Sequence, residues 1–428
     1  MHAFVTRSGI HITDPQSPQN ESNSAKRFKY EVRPWKDLME CNARSVLIYN
    51  TSSKAVEKLK VAAFDLDHTL IVTKSGKRFP QHAKDWKFFH PTLVKETIHQ
   101  LNRDDFTIVI VSNQLGISQG KSSEKDIKEK IQAICCALET PMLALLAIRD
   151  DRMRKPRPGI WQVILDELGV DEDKVYKKSS FYCGDAAGRP AFGNRKKDFA
   201  ATDYKFAMNC AIAFQTPEAL FLKTKARIHT QSIEWNIGFD PKSLLTQDPN
   251  TFSDISSGST QEIVVLVGSP ASGKSFLAHN YFPEYEIVNQ DIEKTTVNCT
   301  KRCLKALKEG KSVVIDATNR DPATRKVWIG IACEQKTSIR CIQIEVSKEL
   351  ALHLNKYRHL GLPELDTQSQ QMLSSTKAVP DIAIHSFYKS FIPPNQEEGF
   401  TEVIRVPFCM QSHQMTAIQK SYMSYYLA

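Results

Sequence analysis

Two α/β domains in series are the fold class the sequence predicts, on three observations. Short apolar runs alternate with amphipathic stretches from about Ser45 to residue 240. The pattern then lapses into DPKSLLTQDPNTFSDISSGSTQ, dense in Asp, Pro, Ser and Thr, and resumes from residue 261. Strands separated by helices in this way pair in parallel, because each crossover returns the chain to the same end of the sheet. A length of 428 residues suits more than one domain, at roughly 100–200 residues each. With 41% hydrophobic and 25% charged residues the composition is that of a globular protein, which excludes wholesale disorder and a fibrous fold.

Residues 1–30 are polar and turn-rich without an apolar period, and are expected to be a mobile N-terminal arm. The first domain is drawn over residues 31–240. Its strands are expected at Val61–Phe64, Phe106–Val111, Met142–Ile148 and Phe181–Cys183, where β-branched and aromatic residues cluster. Helices are expected at Pro91–Leu101, Glu124–Leu138 and Gly159–Leu168, where apolar residues recur at spacings of three and four. Residues 241–260 form a linker. The second domain, residues 261–428, has strands at Ile263–Val267, Glu286–Asn289, Ser312–Ile315 and Ile339–Glu345, with helices from Lys274 and near Lys301–Lys308.

Fifty-seven basic residues against 48 acidic ones leave a net charge of +9, which suits a polyanionic partner without demanding one. No run approaches the roughly 18 apolar residues that span a bilayer, and the first residues lack the apolar core of a signal peptide. An intracellular, soluble protein with no membrane partner is expected. The ten cysteines show no CxxC repeat and no ligand quartet at zinc spacing, so they read as thiols in a reducing compartment.

The first candidate site begins with Asp65 and Asp67, two carboxylates two residues apart after the apolar run Val61–Phe64. At the carboxyl end of a strand in an open α/β sheet, such a pair stands where ligands bind. Like charges held this close repel unless a cation or a proton compensates, and Mg²⁺ is the natural cation for oxygen ligands. Ser112 ends the next strand, Lys155 lies in the segment Lys-Pro-Arg-Pro-Gly before a helix, and Asp185 follows Phe181–Cys183. Together these are the parts of a phosphoryl-transfer site: nucleophile, hydroxyl clamp, cation and metal ligand.

The second candidate site is Gly268-Ser269-Pro270-Ala271-Ser272-Gly273-Lys274-Ser275, which fits the P-loop pattern GxxxxGK[ST] between a strand and a helix. Its backbone N–H groups would cradle the phosphates of ATP, Lys274 would span them, and Ser275 would ligate Mg²⁺. Asp316, at the end of Val313-Val-Ile, could supply a second carboxylate for that metal. Asp291 ends another strand and is the candidate base for an acceptor hydroxyl.

The first constellation resembles the haloacid-dehalogenase superfamily of aspartyl-phosphate phosphatases, with its motifs in order from Asp65 to Asp185. That resemblance implies a Rossmann-like fold and a set of roles. Asp65 would be the nucleophile, Asp67 the general acid and base, Ser112 and Lys155 the partners of the transferring group, and Asp65, Asp67 and Asp185 the Mg²⁺ site. Thr69 would orient the loop or the phosphate. Asp203 matches the family's second downstream acid, with Asp198 as the competitor. His68 stands where the family more often has glycine, and reads as a surface residue.

The order phosphatase, then P-loop kinase, resembles the animal-type bifunctional polynucleotide kinase 3′-phosphatases, which clean DNA strand-break ends. Further matching segments are Thr73–Lys77, Gly184–Arg189, Lys196–Phe199, Ile315–Asn319 and Glu398–Phe400. The resemblance implies removal of 3′-phosphates, ATP-dependent phosphorylation of 5′-hydroxyls, DNA as partner and a nuclear location. The same two scaffolds could instead serve RNA ends or small metabolites. It also implies a lid cation over the γ-phosphate, Lys356 or Arg358, and Gln290 stands where relatives often have Arg. Lys74, Lys77, Arg78, Arg195, Lys196 and Lys197 could line the phosphatase cleft, and Trp86 could stack a base. Vertebrate members bind repair scaffold proteins through a leading forkhead-associated domain, which the roughly 30 to 55 leading residues here are expected not to hold.

Overall fold

The computed structural model describes residues 34–52, 58–193, 195–223, 235–246, 255, 257–360, 379–408, 410 and 415–428. The arm expected over residues 1–30 lies outside them, as does much of the linker.

The first domain opens with a hairpin, β1 (Lys36–Glu40) and β2 (Ala43–Asn50), followed by β3 (Lys60–Phe64) and the short pair β4 (Ile71–Val72) and β5 (Lys87–Phe88). Then come α1 (Leu93–Arg103), β6 (Phe106–Asn113), α2 (Glu124–Leu138), β7 (Met142–Ala147) and α3 (Gly159–Leu168). The series ends with β8 (Phe181–Cys183), α4 (Thr202–Cys210), β9 (Ala213–Gln215) and α5 (Pro217–Phe221). The sheet runs β1-β2-β7-β6-β3-β8-β9. Its five strands from β7 to β9 are parallel, and β2 joins β7 antiparallel. Apolar clusters cover both faces, which is why β3, β6 and β7 read as continuous apolar runs. β3 is the middle one of the five parallel strands, so its carboxyl end lies where loops from both sides converge.

The second domain holds β10 (Glu262–Val267), α6 (Lys274–Tyr281), β11 (Glu286–Asn289), α7 (Gln290–Glu293), α8 (Thr296–Lys308) and β12 (Val313–Asp316). It continues with α9 (Pro322–Gln335), β13 (Ser338–Glu345), α10 (Lys348–His359), α11 (Asp381–Ser390), β14 (Glu402–Pro407) and α12 (Ala417–Met423). All five strands are parallel in the order β11-β12-β10-β13-β14, with β10 in the middle. No helix among the described residues is long and apolar enough to cross a membrane.

Three features depart from the expected layout. The hairpin strand β1 was unread because its sequence, KDLME, is charged and mostly exposed, and β14, EVIRVP, carries charge on an edge. The linker is anchored where it is described: Leu244 packs with Leu350, Leu354, Met410 and Met423, and Ile255 is buried in the core of the second sheet. The last residues cross to the first domain. Asn209 donates to the Tyr426 carbonyl at 2.9 Å and accepts from its amide at 2.9 Å, Arg157 Nε donates to the Leu427 carbonyl at 3.1 Å, and Lys205 Nζ to that of Ala428 at 2.6 Å.

Two candidate active sites

Strand β3 stops at Phe64, one residue before Asp65, whose amide donates to the Cys183 carbonyl at 2.9 Å. The chain then turns, with the amides of Leu70 and Ile71 both donating to the Leu66 carbonyl. His68 is exposed at φ 60°, in the left-handed region, which accounts for glycine as the commoner choice there.

Because of that turn, Asp65 and Asp67 face different partners. Lys155 Nζ donates to Asp65 Oδ1 at 2.7 Å, to Asp203 Oδ1 at 2.8 Å and to the Tyr182 hydroxyl at 2.5 Å. Lys155 is itself buried, and Asn113 grips its backbone from both sides. Asp67 Oδ2 instead accepts from Gln114 Nε2 at 3.1 Å, and the same amide donates to Ser112 Oγ at 2.8 Å. Asp185 follows β8 and accepts from Thr69 Oγ1 at 3.4 Å.

Carboxylate oxygens of Asp65, Asp185 and Asp203 lie within 4.8 Å of one another. Asp67, expected among the metal ligands, is outside this group because the turn carries it to Gln114. Asp203, not Asp198, takes the third place. It sits in the first turn of α4, and its Oδ2 accepts from the Ala186 amide at 3.0 Å. Gly184 makes the approach possible, since a Cβ there would lie 2.3 Å from Asp203 Oδ2. Asp198 is committed elsewhere, accepting from the amides of Ala187 and Arg189 and from the side chains of Arg189 and Arg195.

Three carboxylates face one ammonium. Burial, opposed by Lys155 and reinforced by Asp203, pushes Asp65 up to about 7. Burial and repulsion from Asp65 and Asp203 push Asp185 up to about 8. Burial works against the charge of Lys155, but Asp203 and Asp65 outweigh it and hold the ammonium above its ordinary value. This excess of buried negative charge on oxygen donors fits a divalent cation.

In the second domain the loop Gly268–Ser275 joins β10 to α6. Gly273 has φ 94°, a conformation that glycine adopts at no steric cost. Lys274 is buried, and its Nζ donates to the carbonyls of Gly268 at 3.0 Å and Ser269 at 2.7 Å. Burial brings it down to about 8, against the pull of Asp316 and Asp291. Asp316 Oδ2 accepts from Ser275 Oγ and from Asn289 Nδ2, both at 2.6 Å. Asn289 Oδ1 in turn caps α7, accepting from the amides of Asp291 and Ile292. One asparagine thus ties the helix bearing Asp291 to Asp316.

Of the two lid candidates, Arg358 lies within electrostatic reach of both Asp291 and Lys274, and burial lowers its ordinary value while Asp291 opposes the change. Lys356 faces elsewhere. Its Nζ pairs with Asp150 of the first domain at 3.1 Å, and Asp150 also pairs with Arg157 at 2.7 Å.

Sequence reasoning gave no role to Gln114, Tyr182, Asn289 or Arg325. Arg325 is fully buried, donates twice to Glu398 at 2.6 and 2.7 Å, and holds the carbonyl of Asn319. It joins two segments, Ile315–Asn319 and Glu398–Phe400, that had been noted separately. Trp86, expected to stack a base, is half-buried edge-on against Phe88, and Arg195 is paired with Asp198.

Residues 60–221 match the family described as Polynucleotide kinase 3 phosphatase, and residues 263–379 match a family described as AAA domain. The chain is 41% identical over 361 residues to the bifunctional polynucleotide phosphatase/kinase of Schizosaccharomyces pombe, covering 83% of this chain and 82% of that one. It is 28% identical over 225 residues to the polynucleotide 3′-phosphatase of Saccharomyces cerevisiae, covering 38% of this chain and 87% of that one.

Proposed function

The chain belongs to the family of bifunctional polynucleotide phosphatase/kinases, and from that premise we propose that it heals DNA strand ends, hydrolysing 3′-phosphates in its first domain and phosphorylating 5′-hydroxyls with ATP in its second. A DNA substrate implies a nuclear location in a eukaryotic cell, and that location is part of the proposal. The observation that carries the phosphatase half is the convergence of Asp65, Asp185, Asp203 and Lys155 at the end of β3.

In this reading a carboxylate oxygen of Asp65 attacks phosphorus, the bond from phosphorus to the 3′-oxygen breaks, and Asp67 gives its proton to that oxygen. Water then attacks the aspartyl-phosphate, Asp67 takes the proton, and phosphate leaves with Asp65 restored. Gln114 holds Asp67 and Ser112 on the same side. Lys155 neutralises charge on the transferring group and fixes one oxygen of Asp65. Mg²⁺, held by Asp65, Asp185 and Asp203, supplies the remaining positive charge when bound.

In the kinase half Asp291 takes the proton of the 5′-hydroxyl, which attacks the γ-phosphorus while the bond to the β–γ bridging oxygen breaks. Lys274 and Arg358 balance charge on the phosphates. Ser275 and Asp316, already hydrogen-bonded, would hold the second Mg²⁺. A cavity of about 320 Å³ opens beside Gly268 and Ser269, walled by Phe387, Tyr388 and Phe391. Gln343, near the end of β13, is also among the residues that line it.

The test is end-group analysis on a gapped duplex bearing a 3′-phosphate and a 5′-hydroxyl, with and without ATP. Asp65→Asn is expected to lower phosphate release by about 10⁴-fold or more and to leave the kinase intact, with Lys274→Ala doing the reverse. Loss of both activities in either folded variant would refute the assignment of separate sites. A preference for small phosphate esters over 3′-phosphorylated DNA would refute the substrate.

A further inference from the structure

Lys155 supplies positive charge to the phosphatase site, yet an ammonium on a flexible four-carbon stem has no fixed place of its own. Its three donors are all taken, by Asp65 Oδ1 at 2.7 Å, Asp203 Oδ1 at 2.8 Å and the Tyr182 hydroxyl at 2.5 Å. The first two partners are anions with roles in the mechanism. The third is neutral, and the mechanism leaves it unused.

Tyr182 is placed by the sheet. It lies in β8 beside Ala63 of β3, and β3 separates β8 from β6. The tyrosine is fully buried, its ring edge-on to Phe206 of α4 at 5.0 Å between centroids. Its hydroxyl crosses β3 to reach the Val111 carbonyl of β6 at 3.1 Å, with Asp203 Oδ1 at 3.4 Å as the alternative acceptor. Ala63, opposite it in the register, carries only a methyl group and does not block the crossing. With its proton spent in this way, the oxygen is left to accept from Lys155. Burial and the charges of Asp203 and Asp65 raise Tyr182 well above its ordinary value, so the group stays a neutral phenol.

The hydroxyl grips Lys155 from the inner side. The side chains of Lys155 and Asp203 are each 2% exposed, against 13% for Asp65. The bonds to Tyr182 and Asp203 therefore point into the protein, and the bond to Asp65 points to the open side, where a phosphoryl group arrives. An anionic anchor cancels part of the charge it holds. A phenol oxygen fixes the ammonium and leaves that charge to the phosphoryl group. Asn113 holds the Lys155 backbone separately, so the stem is tethered at both ends.

Resting on the phosphatase reading above, we propose that Tyr182 is a positioning residue for phosphoryl transfer, a neutral anchor that keeps the Lys155 ammonium where negative charge develops. It acts through Lys155 and touches no substrate itself.

The experiment compares wild type, Tyr182→Phe, Lys155→Met and the double variant on a 3′-phosphorylated DNA oligonucleotide and on p-nitrophenyl phosphate. Phenylalanine keeps the ring against Phe206 and removes only the oxygen. Tyr182→Phe is expected to lower kcat about 10- to 100-fold on both substrates with KM unchanged. In the Lys155→Met background, followed in single turnover with enzyme in excess, the same substitution should have no further effect, because no ammonium is left to place. An unchanged kcat, a loss confined to KM, or an equal loss with and without Lys155 would overturn the anchor. A wild-type enzyme that favours p-nitrophenyl phosphate over every oligonucleotide would instead overturn the polynucleotide reading and leave the anchor standing, since both esters present the same phosphoryl group.

Discussion

Gly184 shows how narrowly a single residue can set the chemistry. An added Cβ would stand 2.3 Å from Asp203 Oδ2 and 2.5 Å from its Cβ, while Lys155 and the Ala186 amide anchor the carboxylate from the other side. Gly184→Ala should therefore push Asp203 out of the carboxylate cluster. The half-saturating Mg²⁺ concentration of the phosphatase should rise about 10- to 100-fold, with the kinase unaffected, as a magnesium titration of each activity would reveal. Asp65, Ser112 and Asp185 could be read from the sequence because each follows an apolar run, and Lys155 because it stands in a Pro-flanked segment before a helix. Gln114 and Tyr182 could not: an amide after a strand and an aromatic inside one look like ordinary sequence until folding brings them to Asp67 and Lys155. Asp67 misled because period-two projection applies to a strand, and β3 has already ended.

At the level of elements, α10 and α12 meet through His353, whose Nε2 lies 3.0 Å from the Met423 carbonyl and donates to it in the neutral tautomer. Burial brings His353 down to about 4 from an ordinary 6.5. Between those values the unfolded chain binds the proton and the folded chain does not. Stability therefore rises with pH from about 4 to 6.5, is fully present above 6.5, and is lost as pH falls through the window, by at most about 3 kcal/mol. His353→Gln retains a donor without the titration, so urea midpoints measured from pH 4 to 7 should lose that slope. Parallel strands and long helices were legible because each buries a periodic or continuous apolar face. The hairpin strand β1 and the edge strand β14 were not, since charged, half-exposed strands take their conformation from a neighbour instead of from their own pattern.

Across the whole molecule the two domains are pinned together by the residues after α12 and by Asp150. Leu427 is fully buried although it lies almost at the end of the numbered chain. Leu427→Asp would bury a carboxylate at that position, at a cost of about 3 kcal/mol. Calorimetry should show one cooperative transition in the wild-type protein and two in the variant, the first domain melting apart from the second. Contacts between residues more than two hundred positions apart, such as Asn209 with Tyr426, leave no periodic trace, so this coupling could not be read from the sequence. Asp150 touches neither reaction, yet it grips Arg157, two residues beyond Lys155, and Lys356, two residues before Arg358. In a genetic screen a lesion at this one codon would masquerade as damage to two enzymes at once.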